Sequence, residues 1–381
     1  MKQIPFQYGK IVTGSDFTDR ENETSHLVQN FLALTNTAII SPRRWGKSSL
    51  VEHAIQLSSD KSGGPLFVRL NAFGCKTPEE FYAMLAKGVM RDLSSSFESL
   101  MSNAKDFLSK LAPRVSVADP AGQYDVTFGV GYDSEGGFTP DILDLPQKLA
   151  EKRNRNVVVC IDEFQQVGEF RDSVSFQKIL RSAWQCHSRV AYCLCGSKRS
   201  MMTHIFADFS SPFYQFGDIF FLPKIGNGIW TDYIVERFGN TGKSISRETA
   251  SRLAELVENH PYYVQQLAQM SWFRSDETCR DEHVDQALDT ILDMLNMHFF
   301  ILADSLTERQ IGFLMAINNG ERNLSSESVL KKYRLGPSSS IKALKQALEK
   351  KDLIDVSGKS VTIQDPMLKI WLKRNIRTLV I

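Results

Sequence analysis

The segment from residue 37 to residue 56 constrains the fold of this chain more than any other. It contains a short apolar run, TAII, then a polar loop, SPRRWGKS, and then a helical pattern, SLVEHAIQ. In a strand–loop–helix unit of this kind, backbone N–H groups and the helix N-terminus surround phosphate groups. Lys47 adds a flexible positive charge and Ser48 a hydroxyl that suits magnesium. The segment therefore predicts an α/β fold that binds a nucleotide.

The loop Ser41–Ser48 has the Walker A layout, with Ser41 where the consensus has its first glycine. A side chain at this position restricts the positive φ that glycine allows, so the loop entry is expected to differ slightly from its usual shape. The alternative is a chance Gly-Lys-Ser turn at a helix start. On the nucleotide interpretation, the contacts come from Ser41, Pro42, Arg43, Arg44, Trp45, Gly46, Lys47, Ser48 and Ser49.

A second motif, NVVVCIDEFQQV, is an apolar strand that ends in Asp162 and Glu163. The carboxyl edge of a doubly wound sheet is where such folds bind their ligands. There Asp162 is expected to hold magnesium, directly or through water, and Glu163 to polarise the attacking water. Taken alone, two acids after a strand could equally cap a helix.

A third apolar strand, in AYCLCGSKRS, ends in Gly196 and Ser197. A hydroxyl at the tip of a strand beside the Asp-Glu motif can hydrogen-bond the terminal phosphate or the attacking water. Ser197 is therefore a candidate catalytic sensor. The alternative is an ordinary turn that ends the strand.

The N-terminal half alternates short β-rich runs with helical patterns, which is typical of a doubly wound parallel sheet covered by helices. Residues 103–144 break this alternation, with a helical stretch to Leu111 and then a predicted surface hairpin. The expected core strands are Thr37–Ile40, Leu66–Leu70, Val157–Ile161, Val190–Cys195 and Ile219–Leu222.

The C-terminal part changes to helical periodicity and ends in a different pattern. Residues 229–305 predict a small all-helical lid domain. Three further helices, at Thr307–Ile317, Ser325–Tyr333 and Ser338–Lys351, precede a two-stranded ribbon and a last helix from about Pro366, the order of a winged helix. The predicted domains are thus a P-loop ATPase domain (1–222), a helical lid (223–303) and a winged helix (304–381).

With these motifs in this order, the chain resembles the archaeal-type P-loop ATPases, relatives of the STAND and AAA+ proteins. The segment 17–23, FTDRENE, is similar to the family's F-x-G-R-E-x-E box, with Asp19 in place of glycine. The resemblance implies that Phe17 and Arg20 lie beside the adenine. It also implies ATP as the nucleotide and Mg²⁺ as its cofactor.

Two further segments carry the resemblance into the C-terminal half. Residues 259–263, NHPYY, resemble the family's G-x-P-Y-Y segment, which implies that Pro261 and Tyr262 contact the nucleotide and report it to the lid. The alternative is a proline at the first position of a helix followed by core tyrosines. The segment from Asp365 to Leu372 is similar to the D-P-x-x-x-x-W-L ending of the family's winged helix.

Charge is unevenly distributed along the chain. Residues 302–381 carry fourteen Lys and Arg against eight Asp and Glu, a balance of +6, which leaves −5 for the rest because the whole chain is +1. Lys342 and Lys345, with Ser338–Ser340, lie outside the apolar face of the predicted third helix. DNA is therefore one candidate partner, although a solvated face or a protein contact explains the same lysines.

Composition indicates the class of protein, the environment of the cysteines and the expected location of the chain. A chain of 381 residues with 42% hydrophobic and 23% charged residues is typical of a soluble protein with two or three domains. Its six cysteines form no CxxC pair and are expected to be small core residues. The start, MKQIPFQYGK, lacks the apolar run of a signal peptide, so we expect a cytoplasmic protein with no membrane partner.

The sequence thus predicts an ATP-dependent molecular switch that hydrolyses ATP to ADP and phosphate and acts on a protein client that the sequence does not identify. The competing hypothesis is a protein that binds nucleotide without turnover. Arg181 and Arg199 are candidates for an arginine that completes the site of a neighbouring subunit in a nucleotide-dependent oligomer, but neither has a diagnostic spacing.

Overall fold

A computed structural model describes residues 4–93, 112–117, 124–129, 140–358 and 360–375. The chain divides into two compact units. The first, here called the sheet unit, comprises residues 20–43 and 47–222. The second, the helical unit, comprises residues 1–19, 44–46 and 223–381, so that three residues of the phosphate loop are grouped with it. The predicted three-domain division at residues 222 and 303 stays a prediction.

A five-stranded parallel sheet forms the centre of the sheet unit, in the order β2-β5-β6-β1-β7. The three central strands, β5, β6 and β1, are almost wholly buried, which is why their sequences are continuously apolar. All five predicted strands are confirmed, within one residue at each end. The strands of this unit are β1 (Thr37–Ile40), β2 (Leu66–Asn71), β3 (Ala112–Val117), β4 (Tyr124–Gly129), β5 (Val157–Asp162), β6 (Val190–Gly196) and β7 (Asp218–Phe221).

Helices connect these strands and bury their apolar faces. One core runs from the β2, β5 and β6 side chains to an aromatic cluster that includes Phe164, Trp184 and Phe213. The helices are α1 (Glu21–Ala33), α2 (Lys47–Ser59), α3 (Pro78–Leu93), α4 (Pro140–Leu143), α5 (Leu145–Arg153), α6 (Ser173–Trp184) and α7 (Arg199–Ala207), with a 3-10 segment at Phe164–Glu169.

The predicted hairpin is present as an antiparallel pair, β3 with β4, in a register that opposes Ala112 to Gly129. The helical stretch predicted to end at Leu111 lies outside the described residues. The pair precedes β5 along the chain and is not part of the five-stranded sheet.

The helical unit contains the helices α8 to α15 and two small pairs of strands. The prediction of an all-helical lid is wrong in one detail, because β8 and β9 pair in parallel; two residues each is too short for periodicity to detect. Its elements are α8 (Asn227–Gly239), β8 (Ser244–Ile245), α9 (Arg247–Leu256), α10 (Pro261–Arg274), β9 (Thr278–Cys279), α11 (Asp281–Asp304), α12 (Glu308–Asn318), α13 (Glu327–Lys332), α14 (Ile341–Lys350), β10 (Ile354–Ser357), β11 (Ser360–Ile363) and α15 (Pro366–Arg374), with 3-10 turns at Gly14–Asp16 and Ser338–Ser340.

The last part of this unit has the predicted winged-helix order, with α12, α13 and α14 before the antiparallel ribbon β10–β11. One continuous cluster of buried side chains includes Trp230 of α8, Leu267 of α10 and Trp371 of α15. The lid and winged-helix segments therefore share a core. α11 contributes to both parts of it, through Val284 near its start and Phe299 near its end.

Five of the six cysteines are buried, as predicted, but Cys186 is exposed. It lies just after α6, where the chain turns towards β6 and leaves the apolar core. Among the described residues, no helix combines the length and the apolar character needed to cross a bilayer.

Candidate nucleotide site

Strand order brings the three predicted motifs to one edge of the sheet. β6 pairs with β1 on one side and with β5 on the other. The carboxyl ends of these strands therefore lie side by side, with Ser197 from β6 between the phosphate loop after β1 and the acids that end β5. Their order along the chain does not reveal this arrangement, because β1 and β6 are far apart in sequence.

The phosphate loop follows β1 and ends where α2 begins at Lys47. Positive φ occurs at Arg44 (62°) and Gly46 (86°). Ser41 is not among the residues with positive φ, so its side chain fits without strain, and the expected difference in shape at the loop entry stays a prediction. Ser41 is buried, and its backbone N–H donates to the carbonyl oxygen of Gly196 at 3.3 Å.

Lys47, Ser48 and Asp162 contact one another. Lys47 Nζ lies 2.6 Å from Asp162 Oδ1, and Ser48 Oγ donates to Asp162 Oδ2 at 2.9 Å. Lys47 is only 7% exposed. Burial by itself would lower the pKa of Lys47, but its electrostatic interactions with Cys195, Asp162 and Glu163 outweigh burial and raise the pKa above its ordinary value. The lysine is therefore held as a buried cation at the phosphate loop.

Glu163 adopts a left-handed backbone conformation, with φ 55°, which is uncommon for a residue with a side chain. Its N–H donates to Asp162 Oδ1 at 2.9 Å. Its carboxylate oxygen Oε2 accepts hydrogen bonds from Ser197 Oγ at 2.8 Å and from Gln165 Nε2. The other oxygen, Oε1, lies 3.7 Å from Lys47 Nζ.

Gln165 is the site residue that the sequence motifs did not single out. It follows Glu163 by two positions in the quoted motif, and it is 1% exposed. A buried glutamine must find partners for its amide, because an unpaired buried amide is costly. The burial of Gln165 would have marked it as a site residue, but this burial is visible only in the packing of the 3-10 segment after β5.

The donor set at Ser48 and Asp162 fits a magnesium ion. Mg²⁺ prefers oxygen ligands at about 2.0–2.1 Å in octahedral geometry, so adjacent ligands lie about 2.9 Å apart. Ser48 Oγ and Asp162 Oδ2 are separated by 2.9 Å. A hydroxyl and a carboxylate at this spacing can occupy neighbouring positions of one octahedron.

Phe17 and Arg20, the predicted adenine neighbours, fall in different units. Arg20 is buried, precedes α1 with φ 78°, and contacts Glu23 through Nη1 at 3.2 Å. Phe17 follows the first 3-10 turn, and its N–H donates to Gly14. Their contacts with adenine stay a prediction.

Pro261 occupies the first position of α10, as the structural alternative for this segment predicts. The Tyr262 ring lies under the Arg44 guanidinium at 4.5 Å from its centroid and meets the Tyr8 ring edge-on at 5.4 Å. The nucleotide contacts of Pro261 and Tyr262 stay predictions.

Two residues that replace glycine in the resembled motifs have the conformation that glycine favours. Asp19 has φ 59° and Asn259 has φ 57°. Asp and Asn tolerate this conformation better than other side chains, because they hydrogen-bond locally. Both positions thus have a backbone conformation that glycine would also adopt readily.

The arginine candidates pack within the sheet unit. The guanidinium of Arg181 lies over the Phe216 ring at 4.8 Å, and that of Arg199 over the Phe221 ring at 5.5 Å. Neither contact indicates that Arg181 or Arg199 completes the nucleotide site of a neighbouring subunit.

Comparison with solved structures identifies the fold. A Walker-type ATPase of Pyrococcus abyssi matches with a TM-score of 0.67 and 16% identity, over 97% of this chain and 99% of that one. The ORC2 protein of Aeropyrum pernix, solved as ADPNP–ADP complexes, matches at 0.61 with 11% identity, over 98% of both chains. The ORC1 protein of Aeropyrum pernix in complex with DNA matches at 0.50 with 13% identity, over 96% and 95%. The chain therefore has the P-loop NTPase fold with helical C-terminal segments, and the predicted fold class is confirmed.

A family model described as "Probable winged helix domain" matches residues 297–374. It begins within α11 and ends at the last residue of α15. A sequence search of curated proteins gave no match.

Proposed function

We propose that this protein is a magnesium-dependent ATPase. One observation carries the proposal: Lys47, Ser48, Asp162 and Glu163 lie within hydrogen-bond or ion-pair reach of one another, joined through Asp162. A cation, a hydroxyl and two carboxylates, at the start of a helix after a phosphate loop, are the groups that nucleotide hydrolysis requires.

Each of these residues has a distinct proposed role in hydrolysis. Loop N–H groups and Lys47 bind the phosphates, which requires Lys47 to exchange Asp162 for phosphate oxygen. Glu163 Oε1 orients the attacking water and takes up its proton. Ser48 and Asp162 would hold Mg²⁺, which supplies positive charge to the β- and γ-phosphates.

The nucleotide is proposed to be ATP, because the similar Pyrococcus abyssi protein is an ATPase and the Aeropyrum pernix ORC2 structures hold ADPNP and ADP. We further propose that turnover drives a molecular switch. The support for a switch is that three loop residues, Arg44–Gly46, group with the helical unit, where Arg44 lies over the Tyr262 ring at the start of α10. The alternative is nucleotide binding without turnover.

Glu163→Gln distinguishes these alternatives. The amide keeps the shape of the side chain and loses the base, so ATP affinity should change by less than about 3-fold while phosphate release falls by about 100-fold or more. Affinity is measured by calorimetry and phosphate release by a coupled assay. The matched control is Glu169→Gln, in the same 3-10 segment, where the carboxylate contacts Lys198 at 2.7 Å.

The control should retain turnover. If the unaltered protein released no more phosphate than the Glu163→Gln variant, both with and without DNA, that result would favour nucleotide binding without turnover.

DNA binding is the second candidate function, and it rests on the winged helix. Lys342 is exposed on α14 and Lys345 is half-buried beside it. The similar ORC1 protein of Aeropyrum pernix was solved with DNA. An exposed lysine on this helix suits a phosphate contact.

A further inference from the structure

Gln165 connects the ends of two neighbouring strands through both groups of its amide. Its Nε2 donates to Glu163 Oε2, at the end of β5. Its Oε1 accepts from the backbone N–H of Ser197, at the end of β6, at 3.2 Å. Ser197 Oγ in turn donates to the same Glu163 Oε2 at 2.8 Å. The contacts form a closed ring of Gln165, Ser197 and Glu163.

The amide of glutamine satisfies both requirements of this ring. The ring needs one donor for the carboxylate and one acceptor for the Ser197 N–H, and glutamine supplies both from a single group. A glutamate at this position would lack the donor and would set a second negative charge against Glu163. A leucine would lack both groups and leave the Ser197 N–H without this partner.

Gly196 provides the room that the ring requires. A Cβ added there would lie 2.6 Å from Gln165 Oε1 and 2.3 Å from Met202 Sδ. Both distances are shorter than real Cβ contacts. A glycine before Ser197 therefore allows the Gln165 amide to approach the backbone of β6.

The two oxygens of Glu163 consequently have different surroundings. Oε2 accepts both ring donors, Ser197 Oγ and Gln165 Nε2. Oε1 is the oxygen nearer Lys47, at 3.7 Å, and so faces the phosphate loop. Fixing one carboxylate oxygen determines the direction of the other, because the carboxylate is planar and rigid.

We propose that Gln165 is a positioning residue for ATP hydrolysis: it holds Oε2 of Glu163 so that Oε1 points at the attacking water. The proposal rests on the ATPase function proposed above. It also assigns Ser197 as the second anchor of Oε2, since the single hydroxyl proton of Ser197 is directed at Glu163.

The first test is Gln165→Leu, which keeps the side-chain size and removes the amide. We expect kcat to fall by about 10- to 100-fold, because a misplaced catalytic group has this effect, while the Kd for ATP stays within about 2-fold. Gln166→Leu is the matched control, because the Gln166 amide makes only a long contact, 3.5 Å, with the Phe73 carbonyl. Gln165→Glu, closer in shape, provides a second variant if the leucine protein does not fold.

A double-mutant cycle separates positioning from general damage to the fold. Gln165 and Ser197 anchor the same oxygen, so Gln165→Leu and Ser197→Ala together should lower kcat by less than the product of their separate effects. A kcat for Gln165→Leu within 2-fold of the unaltered protein would overturn the proposal. The proposal would also be overturned if the reduction in kcat of the double variant equalled the product of the two separate reductions.

A second readout does not depend on turnover. The urea midpoints of Gln165→Leu, Glu163→Gln and the double variant should be non-additive, because the two side chains are in contact. If the unaltered protein did not hydrolyse ATP, this would contradict the ATPase proposal. It would also contradict the proposed role of Gln165 in positioning Glu163 for hydrolysis. Additive midpoints would contradict the Gln165–Glu163 link itself, so the two failures are distinguishable.

Discussion

Asp162 illustrates how one residue serves several partners at the site. Its Oδ1 accepts the Glu163 N–H and lies beside Lys47 Nζ, while its Oδ2 accepts from Ser48 Oγ. Magnesium at Ser48 would compete with Lys47 for the negative charge of Asp162. Binding of a magnesium nucleotide would relieve this competition, because the phosphates provide a new partner for the lysine.

Lys47→Ala should weaken ATP binding by at least about 10-fold, since a charge-assisted hydrogen bond to phosphate contributes about 1.5–3 kcal/mol. Calorimetry with magnesium ATP measures the affinity. Lys61→Ala, at an exposed position after α2, is the control and should bind ATP normally. Unchanged affinity in the Lys47 variant would contradict the assignment of the site.

The sequence predicted the residues whose roles follow from local order. Lys47, Ser48, Asp162 and Glu163 were identified because each lies in a short motif next to a strand. Gln165 was missed because its hydrogen bonds depend on Ser197, which follows another strand and lies 32 positions later. The expected effect of Ser41 on the shape of the loop entry stays a prediction, although Ser41 itself does not have positive φ.

At the scale of elements, strand positions could be predicted, and β6 was expected beside the Asp-Glu strand, but the full order of the strands could not be predicted. Continuous apolar runs identified β1, β2, β5, β6 and β7. The position of β6 between β1 and β5 depends on the long-range pairing of buried backbones, which no local pattern encodes. The pair β8–β9 escaped prediction for a different reason, its length of two residues per strand.

One of the contacts between the winged helix and the lid lies at Asp365. Asp365, before α15, accepts the N–H groups of Met367 and Leu368 and the hydroxyl of Tyr263 from α10. Burial, and then the nearby Asp365 charge, raises the pKa of Tyr263 well above its usual value, so the hydroxyl remains a donor throughout the physiological range.

Asp365→Ala should lower the free energy of unfolding by about 1–3 kcal/mol, since it removes a helix cap and leaves the Tyr263 hydroxyl without its acceptor. Urea unfolding measures the change. Ser326→Ala is the matched control, because Ser326 precedes α13 without a side-chain cap bond and its loss should cost little. Equal effects for both variants would contradict this role of Asp365.

At the scale of the whole molecule, charge and packing divide the chain differently. The basic excess of +6 begins at about residue 302. The shared core crosses that point, because Phe299 and Trp371 pack with ring centroids 5.6 Å apart. The basic segment is therefore electrostatically distinct but is not structurally independent.

If α14 contacts DNA, duplex affinity should fall steeply with salt, because binding releases counterions from the phosphates. Lys342→Glu with Lys345→Glu should weaken binding to every sequence tested. Fluorescence anisotropy at low and moderate salt measures both effects. Lys331→Glu, on α13, is the control for a general change of charge. Absence of binding at low salt would remove DNA from the candidate partners.

The shared core also limits how this protein can be dissected or recombined. Trp371 donates from its indole nitrogen to Asn296 at 2.7 Å and packs against Phe300, both on α11. A fragment that starts at residue 304 would expose this tryptophan and lose its partners, whereas one that starts at 281 keeps the whole of α11. Domain swaps, truncations and fusion proteins must therefore keep α11 with the wing, and a cut before α11 still divides the core, because Val284 of α11 belongs to the same cluster as Leu267 of α10.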